Sequence, residues 1–410
     1  MEYYSCNSGL SLHELSNMRY EREIKRKILG NCRFFPILVL TGARQSGKTT
    51  LLREIFPTHT YVSLDIPADA ELAELAPAEF LRRYPPPLLI DEVQYAPKLF
   101  RHLKVIVDEQ REKAGQFILT GSQKFTLMKE VSDSLAGRAL VVELENMSVH
   151  ELGDSFFNTK LEKGINEVLV RGMFPELWKQ IELPSGEYLR SYLASYIERD
   201  VRQILNISSL RDFDRFLRAC AIRSGSLLNK DEIAREVGVT AKTVNQWLSV
   251  LQASNQISLL EPYFENLGKR LVKSPKLYFN DTGLLCFLLG LNKQNVLDSY
   301  MLGAIWETFV YAELRKYIGI LRPEASLWFY RDQNSEIDFV IADGVRFQFL
   351  ECKWNKQTDS KSTRIMIEIA KLMKNRQVSS YIVSHGEKAL AQSHLGILSG
   401  FQLHALFETN

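Results

Sequence analysis

Short apolar runs alternate with amphipathic stretches through the first third of the chain, which is the pattern of strand, turn and helix units in an α/β domain. Strands of a parallel sheet are buried on both faces, so they read as continuous apolar runs. We therefore expect residues 1–155 to form an α/β domain with a parallel sheet. The predicted strands are Ile37–Thr41, Tyr61–Leu64, Leu88–Ile90, Phe117–Thr120 and Ala139–Leu144.

The pattern changes twice after this domain. Residues 156–225 carry helical periodicity and are predicted to form a helical lid or linker. Residues 226–295 show a helix, a turn at Gly238, a second helix and two β-like stretches, which is the order of a winged helix-turn-helix. Residues 296–410 return to an α/β pattern. The elements predicted there are the helices Gly303–Tyr317 and Ser362–Lys374 and the strands Ser326–Arg331, Glu336–Ala342, Phe347–Lys353 and Ser380–Ser384.

The composition is that of a folded protein with more than one core. The 410 residues are 45% hydrophobic and 24% charged, which excludes intrinsic disorder of the whole chain. No apolar run approaches the roughly 18 residues of a membrane span, and the N-terminal residues lack the apolar segment of a secretory signal. The five cysteines are far apart, and none forms a Cys-x-x-Cys pair. We expect a cytoplasmic protein with reduced thiols and no membrane contact.

A phosphate-binding loop follows the first predicted strand. The octapeptide Gly42-Ala43-Arg44-Gln45-Ser46-Gly47-Lys48-Thr49 fits the P-loop pattern and lies between a strand and a helix. Gly42 and Gly47 let the backbone curl so that successive N–H groups face phosphate oxygens at the positive end of the helix. Lys48 is expected to reach the β- and γ-phosphates, and the Thr49 hydroxyl to bind Mg²⁺. With Thr50 completing the loop, these residues predict binding of ATP or ADP with Mg²⁺.

Two acids follow the strand Leu88–Ile90. A buried strand is expected to place Asp91 at the carboxyl edge of the sheet beside the metal. Glu92 comes next, in a position to orient and polarise the attacking water, which favours hydrolysis over passive nucleotide holding. The alternative is a strand that ends in two solvated acids.

Two further residues are candidates for the same site. Ser122, with Gln123, follows the strand Phe117–Thr120 and is expected either to contact the γ-phosphate or the water, or to be a turn residue. Arg138 is a candidate to compensate transition-state charge, in cis or across the interface of a homo-oligomer. The alternative for Arg138 is a surface arginine.

These motifs resemble those of bacterial and archaeal AAA-type (AAA+) ATPases, whose P-loop reads Thr-Gly-x-Arg-Gln-x-Gly-Lys-Thr-Thr and appears here as Thr41–Thr50. The resemblance covers nearly the whole chain. It implies a P-loop ATPase domain, a winged helix and a C-terminal α/β domain with a restriction-endonuclease-like, PD-(D/E)xK core. Its further parts are Asp91-Glu92-x-Gln94, Leu119–Ser122, Gly137-Arg138, Tyr196–Asp200, Lys273-Ser274-Pro275-Lys276 and Asp281–Leu284.

The middle region is the basic part of the chain. It carries 13 basic and 8 acidic residues between 201 and 297, whereas the whole chain carries a net charge of +2. The second helix of the predicted winged unit opens with polar residues, Ala241–Trp247, that suit a major groove. The alternative for this unit is a protein-docking or packing module, so the sequence leaves both a DNA and a protein partner open. Four basic residues are predicted on or near the wing, within reach of DNA phosphates: Lys269, Arg270, Lys273 and Lys276.

Four residues of the last region follow the order of a nuclease site. Asp338 lies on one predicted strand, and Glu351 and Lys353 lie on one face of the next because they are two residues apart. Asp338 and Glu351 are expected to share a Mg²⁺, with Glu307 from the preceding helix as a further ligand, while Lys353 positions or activates a water that attacks a phosphodiester. Glu-x-Lys alone is a weak motif, so a structural site without cleavage stays an alternative.

The leading hypothesis is a Mg²⁺-dependent ATPase. In this hypothesis, the nucleotide bound at the P-loop sets the conformation of the helical, winged and nuclease-like units. One alternative is a nucleotide-gated, metal-dependent endonuclease, in which ATP turnover only regulates. The other is a low-turnover switch that holds ATP and a protein partner. Glu92 argues against the switch, and the set of Asp338, Glu351 and Lys353 keeps the endonuclease open.

Overall fold

The computed structural model describes residues 20–121, 131, 133–153, 164–197, 201, 210–263, 273–354, 360–373, 375–386, 391–392 and 395–408. The predicted sensor, Ser122 with Gln123, lies outside these residues, as do Lys269 and Arg270 of the predicted wing. In the described part of the chain, no helix is both long and apolar enough to cross a membrane. The thiols described there, of Cys32, Cys220, Cys286 and Cys352, are free.

Five parallel strands form the sheet of the first unit, in the order β2-β3-β4-β1-β5. The three central strands are buried along their whole length, as their continuous apolar runs predict, and the predicted parallel sheet is confirmed. The P-loop and Asp91 therefore lie at the same edge, where the parallel strands end. The bounds are β1 Ile37–Thr41, β2 Thr60–Ser63, β3 Leu88–Asp91, β4 Phe117–Thr120 and β5 Ala139–Glu143.

Helices cover both faces of this sheet. They are Ile24–Asn31, Lys48–Ile55, Pro67–Leu75, Pro77–Arg83 and Leu99–Glu109. Ile37 and Val39 of β1 pack with the last three of these helices, whereas Leu38 and Leu40 pack with the first two. This alternation follows from the two-residue period of a strand, and it fixes the strand that leads into the P-loop from both sides.

The middle unit contains two consecutive helices whose ends are set by capping residues. Asn229 caps the helix Lys230–Val237, and Gly238 ends that helix in a left-handed conformation with φ of 83°. Thr240 then caps the helix Ala241–Ala253. The pair is followed by strands of a three-stranded antiparallel sheet, in which β8 lies between β6 and β7, and the identity of this unit as a winged helix stays a prediction. The strands are β6 Ser226–Leu227, β7 Ile257–Leu260 and β8 Lys276–Phe279, and the neighbouring helices are Pro175–Lys179, Ser185–Tyr196, Leu210–Ile222 and Thr282–Leu288.

The last unit has a six-stranded mixed sheet in the order β13-β14-β12-β11-β10-β9. The sequence pattern missed β14, because Gly396 interrupts its short apolar run. Glycine is needed there, since a Cβ at Gly396 would lie 2.6 Å from a ring carbon of Tyr381. The bounds are β9 Ser326–Arg331, β10 Glu336–Asp343, β11 Arg346–Cys352, β12 Gln377–Ser384, β13 Ala391–Gln392 and β14 Leu395–Ser399, with the helices Leu302–Leu321, Ser360–Leu372 and Ala405–Glu408.

One apolar core runs through all the regions after the first sheet. It joins residues of the helix Ser185–Tyr196, of the helix pair, of Leu302–Leu321 and of β11. Leu302–Leu321 is the central helix of this core, because its buried positions lie around most of its circumference. The predicted boundaries at 225 and 295 stay predictions, and the units on either side of them share a hydrophobic interior.

Asp281 connects three parts of the chain. Its carboxylate accepts hydrogen bonds from the side chain of Asn146 (2.9 Å) and from the backbone N–H groups of Met173 (2.8 Å) and Leu284 (3.1 Å). Asn146 follows β5 of the first sheet, Met173 precedes the helix Pro175–Lys179, and Leu284 belongs to the middle unit. The buried carboxylate therefore holds the five-stranded parallel sheet to the helices that follow it.

Replacing Asp281 with Asn is expected to destabilise the protein. One Asp281 oxygen accepts from both Asn146 and Met173, and an amide NH₂ there would face two donors. In the other orientation the amide NH₂ would face the N–H of Leu284, so at least one bond to a buried charged acceptor is lost. This is expected to lower the free energy of unfolding by about 1.5–3 kcal/mol, measured by urea denaturation. Asp298→Asn, at an exposed position, is the matched control and should change stability by less than about 0.5 kcal/mol. Equal stability of the two variants would contradict this role.

Candidate nucleotide site

The P-loop backbone forms a concave nest between β1 and the helix Lys48–Ile55. Gly42, Gln45 and Gly47 have positive φ values of 145°, 60° and 92°. Such turns aim successive N–H groups at one point, which makes an anion site. Gly47 is also the N-cap of the helix, so the positive end of the helix dipole faces the same point.

Gly42 is fixed by a close approach as well as by its φ. A Cβ at Gly42 would lie 2.2 Å from the carbonyl oxygen of Leu144, in the residue after β5. The P-loop therefore begins in direct contact with the segment that follows β5. Only glycine satisfies both the conformation and the contact.

Side chains of the loop bind its own carbonyl groups. The buried ammonium of Lys48 donates to the carbonyl oxygens of Gly42 (3.0 Å) and Ala43 (2.9 Å). The Ser46 hydroxyl donates to the Ala43 carbonyl at 2.9 Å. These bonds hold the Lys48 ammonium and the Ser46 hydroxyl against the backbone of the loop.

Asp91 is the polar centre at the ends of the strands. Its two oxygens accept hydrogen bonds from the hydroxyl groups of Thr49 (2.7 Å), Tyr61 (3.0 Å) and Thr120 (3.0 Å). The predicted metal pair, Thr49 and Asp91, is thus in direct contact, and hydroxyl and carboxylate oxygens are the ligands that Mg²⁺ prefers. The sequence analysis missed Tyr61 and Thr120, although their places on β2 and β4, the two neighbours of β3, were a usable signal.

Glu92 has an unusual backbone for a non-glycine residue. Its φ and ψ are 55° and 45°, in the left-handed region. Such conformations cost free energy and concentrate at functional sites. The Gln94 side chain donates to the Glu92 carboxylate, and Glu92 lines the same cavity as Lys48 and Thr49.

This cavity has a volume of about 990 Å³ and lies between the P-loop and the helices Pro175–Lys179 and Ser185–Tyr196. Arg44, Gln45 and Thr50 line it from the loop side. Tyr188 and Tyr192 also line it, with nearly parallel rings 6.5 Å apart between centroids. A cavity of this size, lined by an anion nest and by aromatic rings, has the dimensions and chemistry for a nucleotide.

Arg22, which is not part of the P-loop, binds the loop at the Ser46 carbonyl. None of the sequence motifs contains this arginine. Its guanidinium donates to the carbonyl oxygens of Ser46 (2.9 Å) and Glu145 (2.7 Å) and to the carboxylate of Glu151 (3.0 Å). The buried Arg22 thus joins the loop to the segment after β5. Its partners are far apart in sequence, so a local pattern held no signal for it.

Arg138 is not at this site. It immediately precedes β5, whose first residue pairs with Ile37 at the start of β1, so Arg138 lies at the opposite edge of the sheet from the P-loop. Its guanidinium binds both oxygens of Asp108, at 2.6 and 2.8 Å. The predicted role in cis is therefore wrong, because a strand of this length spans about 15 Å. A role across a subunit interface stays a prediction.

The acidic residues of the last unit come together as predicted. The backbone N–H of Cys352 donates to Asp338 at 2.8 Å, and the Lys353 ammonium lies 2.9 Å from a Glu351 carboxylate oxygen. Burial, aided by the charge of Glu307, raises the pKa of Asp338 to about 7, although the Lys276 ammonium and the hydrogen bond from the Cys352 N–H lower it. Burial, aided by the charge of Asp338, raises the pKa of Glu351 to about 7.

Lys276 is not on a DNA-facing surface. It begins β8, and its side chain is only 3% exposed. The ammonium contacts Glu336 (2.8 Å), Glu307 (3.0 Å) and Asp338 (3.7 Å). Burial alone would lower the pKa of Lys276, but these three carboxylates raise it. The prediction that Lys276 reaches DNA phosphates is wrong, because the side chain points into the protein, whereas Lys273 is exposed.

One further group has the chemistry of metal ligands. His150, His404 and Glu408 each place a ligand atom within 4.8 Å of the others. His150 and Glu408 are exposed, and none of the three lines the nucleotide cavity.

Comparison with known proteins places this site in a family. Residues 35–153 match the model of an AAA domain. Residues 162–295 and 302–400 match two domains of unknown function, DUF8612 and DUF4143. The Mycobacterium tuberculosis protein Rv2008c, described as uncharacterized, is 31% identical over 343 residues, which are 82% of this chain and 75% of the relative. The chain belongs to the family of this mycobacterial protein.

The family extends to an archaeal relative. The uncharacterized protein MJ1544 of Methanocaldococcus jannaschii is 26% identical over 351 residues, covering 78% of this chain and 74% of the relative. Among solved structures, the Walker-type ATPase PABY2304 of Pyrococcus abyssi matches with a TM-score of 0.46 and 15% identity, over 67% of this chain and 99% of the other. The match to the AAA domain and the site geometry together show a P-loop ATPase domain in the first unit.

Replacing Gly42 with Ala is expected to weaken nucleotide binding. The added methyl group would overlap the Leu144 carbonyl, so the loop must move out of its nest conformation. We expect at least a tenfold, or about 1.4 kcal/mol, loss of ATP affinity in a fluorescent-nucleotide titration. Gly30→Ala, in a helix with open space around it, is the control and should bind as wild type does. Normal affinity of Gly42→Ala would refute this account of the loop.

Proposed function

We propose that this chain is a Mg²⁺-dependent ATPase. It hydrolyses ATP in the cavity between the P-loop and the helices Pro175–Lys179 and Ser185–Tyr196. The observation that supports this most is the 2.7 Å hydrogen bond between Thr49 and Asp91, at the rim of an anion nest. A hydroxyl and a carboxylate so placed suit one Mg²⁺ beside the phosphates. Thr49 and Asp91 would hold the ion, and its positive charge would neutralise the charge that develops on the phosphates.

The P-loop residues have separate tasks in this proposal. The N–H groups of 42–49 bind phosphate oxygens, and Lys48 exchanges its two carbonyl partners for the β- and γ-phosphates. Thr49 and Asp91 hold the metal, while Tyr61 and Thr120 fix the orientation of the Asp91 carboxylate. Tyr188 and Tyr192 offer ring faces to the base.

Glu92 is the proposed catalytic base of hydrolysis. It follows the metal-side Asp91 directly, and its left-handed backbone aims the side chain into the cavity wall. The hydrogen bond from Gln94 holds the carboxylate in one orientation. A carboxylate so held can accept a hydrogen bond from a water and orient it toward the γ-phosphate.

Conformational switching is the second part of the proposal. Leu144 touches the P-loop at Gly42, and Glu145 next to it lies 2.6 Å from Arg315 of the helix Leu302–Leu321. The Lys316 ammonium, one residue on, donates to the Met147 carbonyl at 2.8 Å. A change at the phosphates thus has a short, rigid route to the central helix of the C-terminal core.

Two substitutions separate binding from turnover. Lys48→Ala removes the charge paired with the β- and γ-phosphates and should lose most nucleotide affinity. Glu92→Gln keeps the size and polarity of the side chain, so it should bind ATP normally and lose at least about 100-fold in kcat. Affinity by titration and phosphate release are the two measurements.

The controls for this pair are exposed residues of the same types. Lys104→Ala and Glu112→Gln should behave as wild type in both measurements. Hydrolysis at the wild-type rate by Glu92→Gln would remove Glu92 from the mechanism and assign the orientation of the attacking water to another group.

Metal-dependent cleavage of nucleic acid is the second candidate function. It is favoured by the proximity of Asp338 on β10, Glu351 on β11 and Lys353 directly after β11, in the order of a nuclease core. A winged helix in the middle unit would supply the DNA contact, because Lys242, Asn245 and Gln246 are exposed on the helix Ala241–Ala253. In this function ATP turnover would gate access to the last unit.

The cleavage test uses Mg²⁺-ATP together with a DNA or RNA substrate. If the site is catalytic, Lys353→Ala should abolish cleavage in Mg²⁺ and Mn²⁺ while leaving ATP hydrolysis unchanged, because the two sites are in separate units. Lys371→Ala, an exposed lysine of the same unit, is the control. A wild-type protein that cuts no nucleic acid in either metal would reduce the last unit to a docking module.

A further inference from the structure

A lysine of the middle unit lies inside the acidic cluster of the last unit. Lys276 belongs to β8, whereas Glu307 belongs to the helix Leu302–Leu321, and Glu336 and Asp338 belong to β10. The ammonium nitrogen is 2.8 Å from Glu336, 3.0 Å from Glu307 and 3.7 Å from Asp338. One ammonium group therefore lies close to three carboxylates of a neighbouring unit, and the Lys276 side chain is buried.

The lysine is held there by the framework around it. β8 is the central strand of its three-stranded sheet, and the Tyr278 hydroxyl on the same strand also donates to Glu307. The two units are joined by backbone bonds beside this point, from Tyr263 N–H to the Phe329 carbonyl (2.7 Å) and from Phe329 N–H to the Glu261 carbonyl (3.2 Å). The position of Lys276 is thus fixed by the docking of one sheet on the other.

Two further cations of the chain lie against the cluster. The Lys353 ammonium is 2.9 Å from Glu351, and Ser362 donates to the same carboxylate oxygen at 2.9 Å. The outer carboxylate, Glu336, has Arg331 at 3.5 Å as a second cation. Three cations thus face four carboxylates, Lys276 is shared by three of them, and the second oxygen of Glu351 is buried without a hydrogen-bond partner among the described residues.

A divalent ion does not fit this arrangement. Ca²⁺ binds carboxylate oxygens at about 2.3–2.6 Å and Mg²⁺ at about 2.0–2.1 Å, so an ion on Glu307 and Asp338 would overlap the space around the Lys276 ammonium. The two cations would also repel each other in a region where water screens little. The acidic residues have the chemistry of a metal site, but the side chain of Lys276 lies where the ion would bind.

We infer that Lys276 is the built-in counter-cation of this acidic cluster and keeps divalent ions out while the middle unit is docked. The same lysine therefore stabilises the contact between the two units and occupies the place of a metal ion. This inference does not depend on ATP hydrolysis. It gives the nuclease-like cluster a closed state that is set by the neighbouring unit.

The test measures metal binding in the full chain, with Tb³⁺ as a probe for oxygen-ligand sites. All proteins carry Asp91→Asn, which removes the metal site at the P-loop. Excitation of tyrosine sensitises bound Tb³⁺, and Tyr278 lies against Glu307. With Lys276 present we expect no saturable emission, whereas Lys276→Met should gain a saturable signal. Lys276→Met with Asp338→Asn should lose that signal, because one ligand and one negative charge are gone.

A second measurement covers the case in which Lys276→Met is poorly folded. The thermal midpoint of this variant should rise with Mn²⁺ concentration, because a ligand that binds only the native state stabilises it. The midpoint of the variant that also carries Asp338→Asn should not respond. Saturable Tb³⁺ emission from the protein that retains Lys276, if Asp338→Asn abolishes it, would overturn the inference. So would a Lys276→Met protein that gains neither emission nor metal-dependent stability.

Discussion

A charge that is buried must be paired, and this requirement fixes how the units of the chain fit together. Within the first unit, Arg22 binds Glu151 beside the P-loop. Between units, Arg315 of the central helix binds Glu145 after β5. Lys276 of the middle sheet binds the acids of the last unit. Apolar packing brings these surfaces together, but the pairs allow only one relative position.

The segment after β5 is where most of these contacts meet. It touches the P-loop at Gly42 through Leu144, receives Arg22 and Arg315 at Glu145, and reaches Asp281 through Asn146. A nucleotide site built on this segment is mechanically connected to the rest of the chain. That placement supports the proposed conformational switching, because the same short segment contacts both the P-loop and the C-terminal core.

The sequence was sufficient where the signal is local. The P-loop, Asp91 and the parallel strands depend on short patterns, such as a glycine at a left-handed position and an apolar run before an acid. Arg138 was misplaced although a signal existed, since it precedes its strand and the active edge lies where strands end. For Lys276 no local signal existed, because its partners lie 31 to 62 residues further along the chain and on two other elements. A basic residue in a basic region was taken for a surface residue, and only the fold shows the acids around it.

The most direct measurement of the central claim is steady-state phosphate release by the purified wild-type chain, with ATP, in the presence and absence of Mg²⁺. The geometry of Thr49, Asp91 and Glu92 predicts turnover that requires Mg²⁺ and stops when the metal is chelated. Tight, Mg²⁺-dependent binding of ATP without phosphate release would contradict the claim. In that case the cavity is a holding site, and Glu92 is not a catalytic residue.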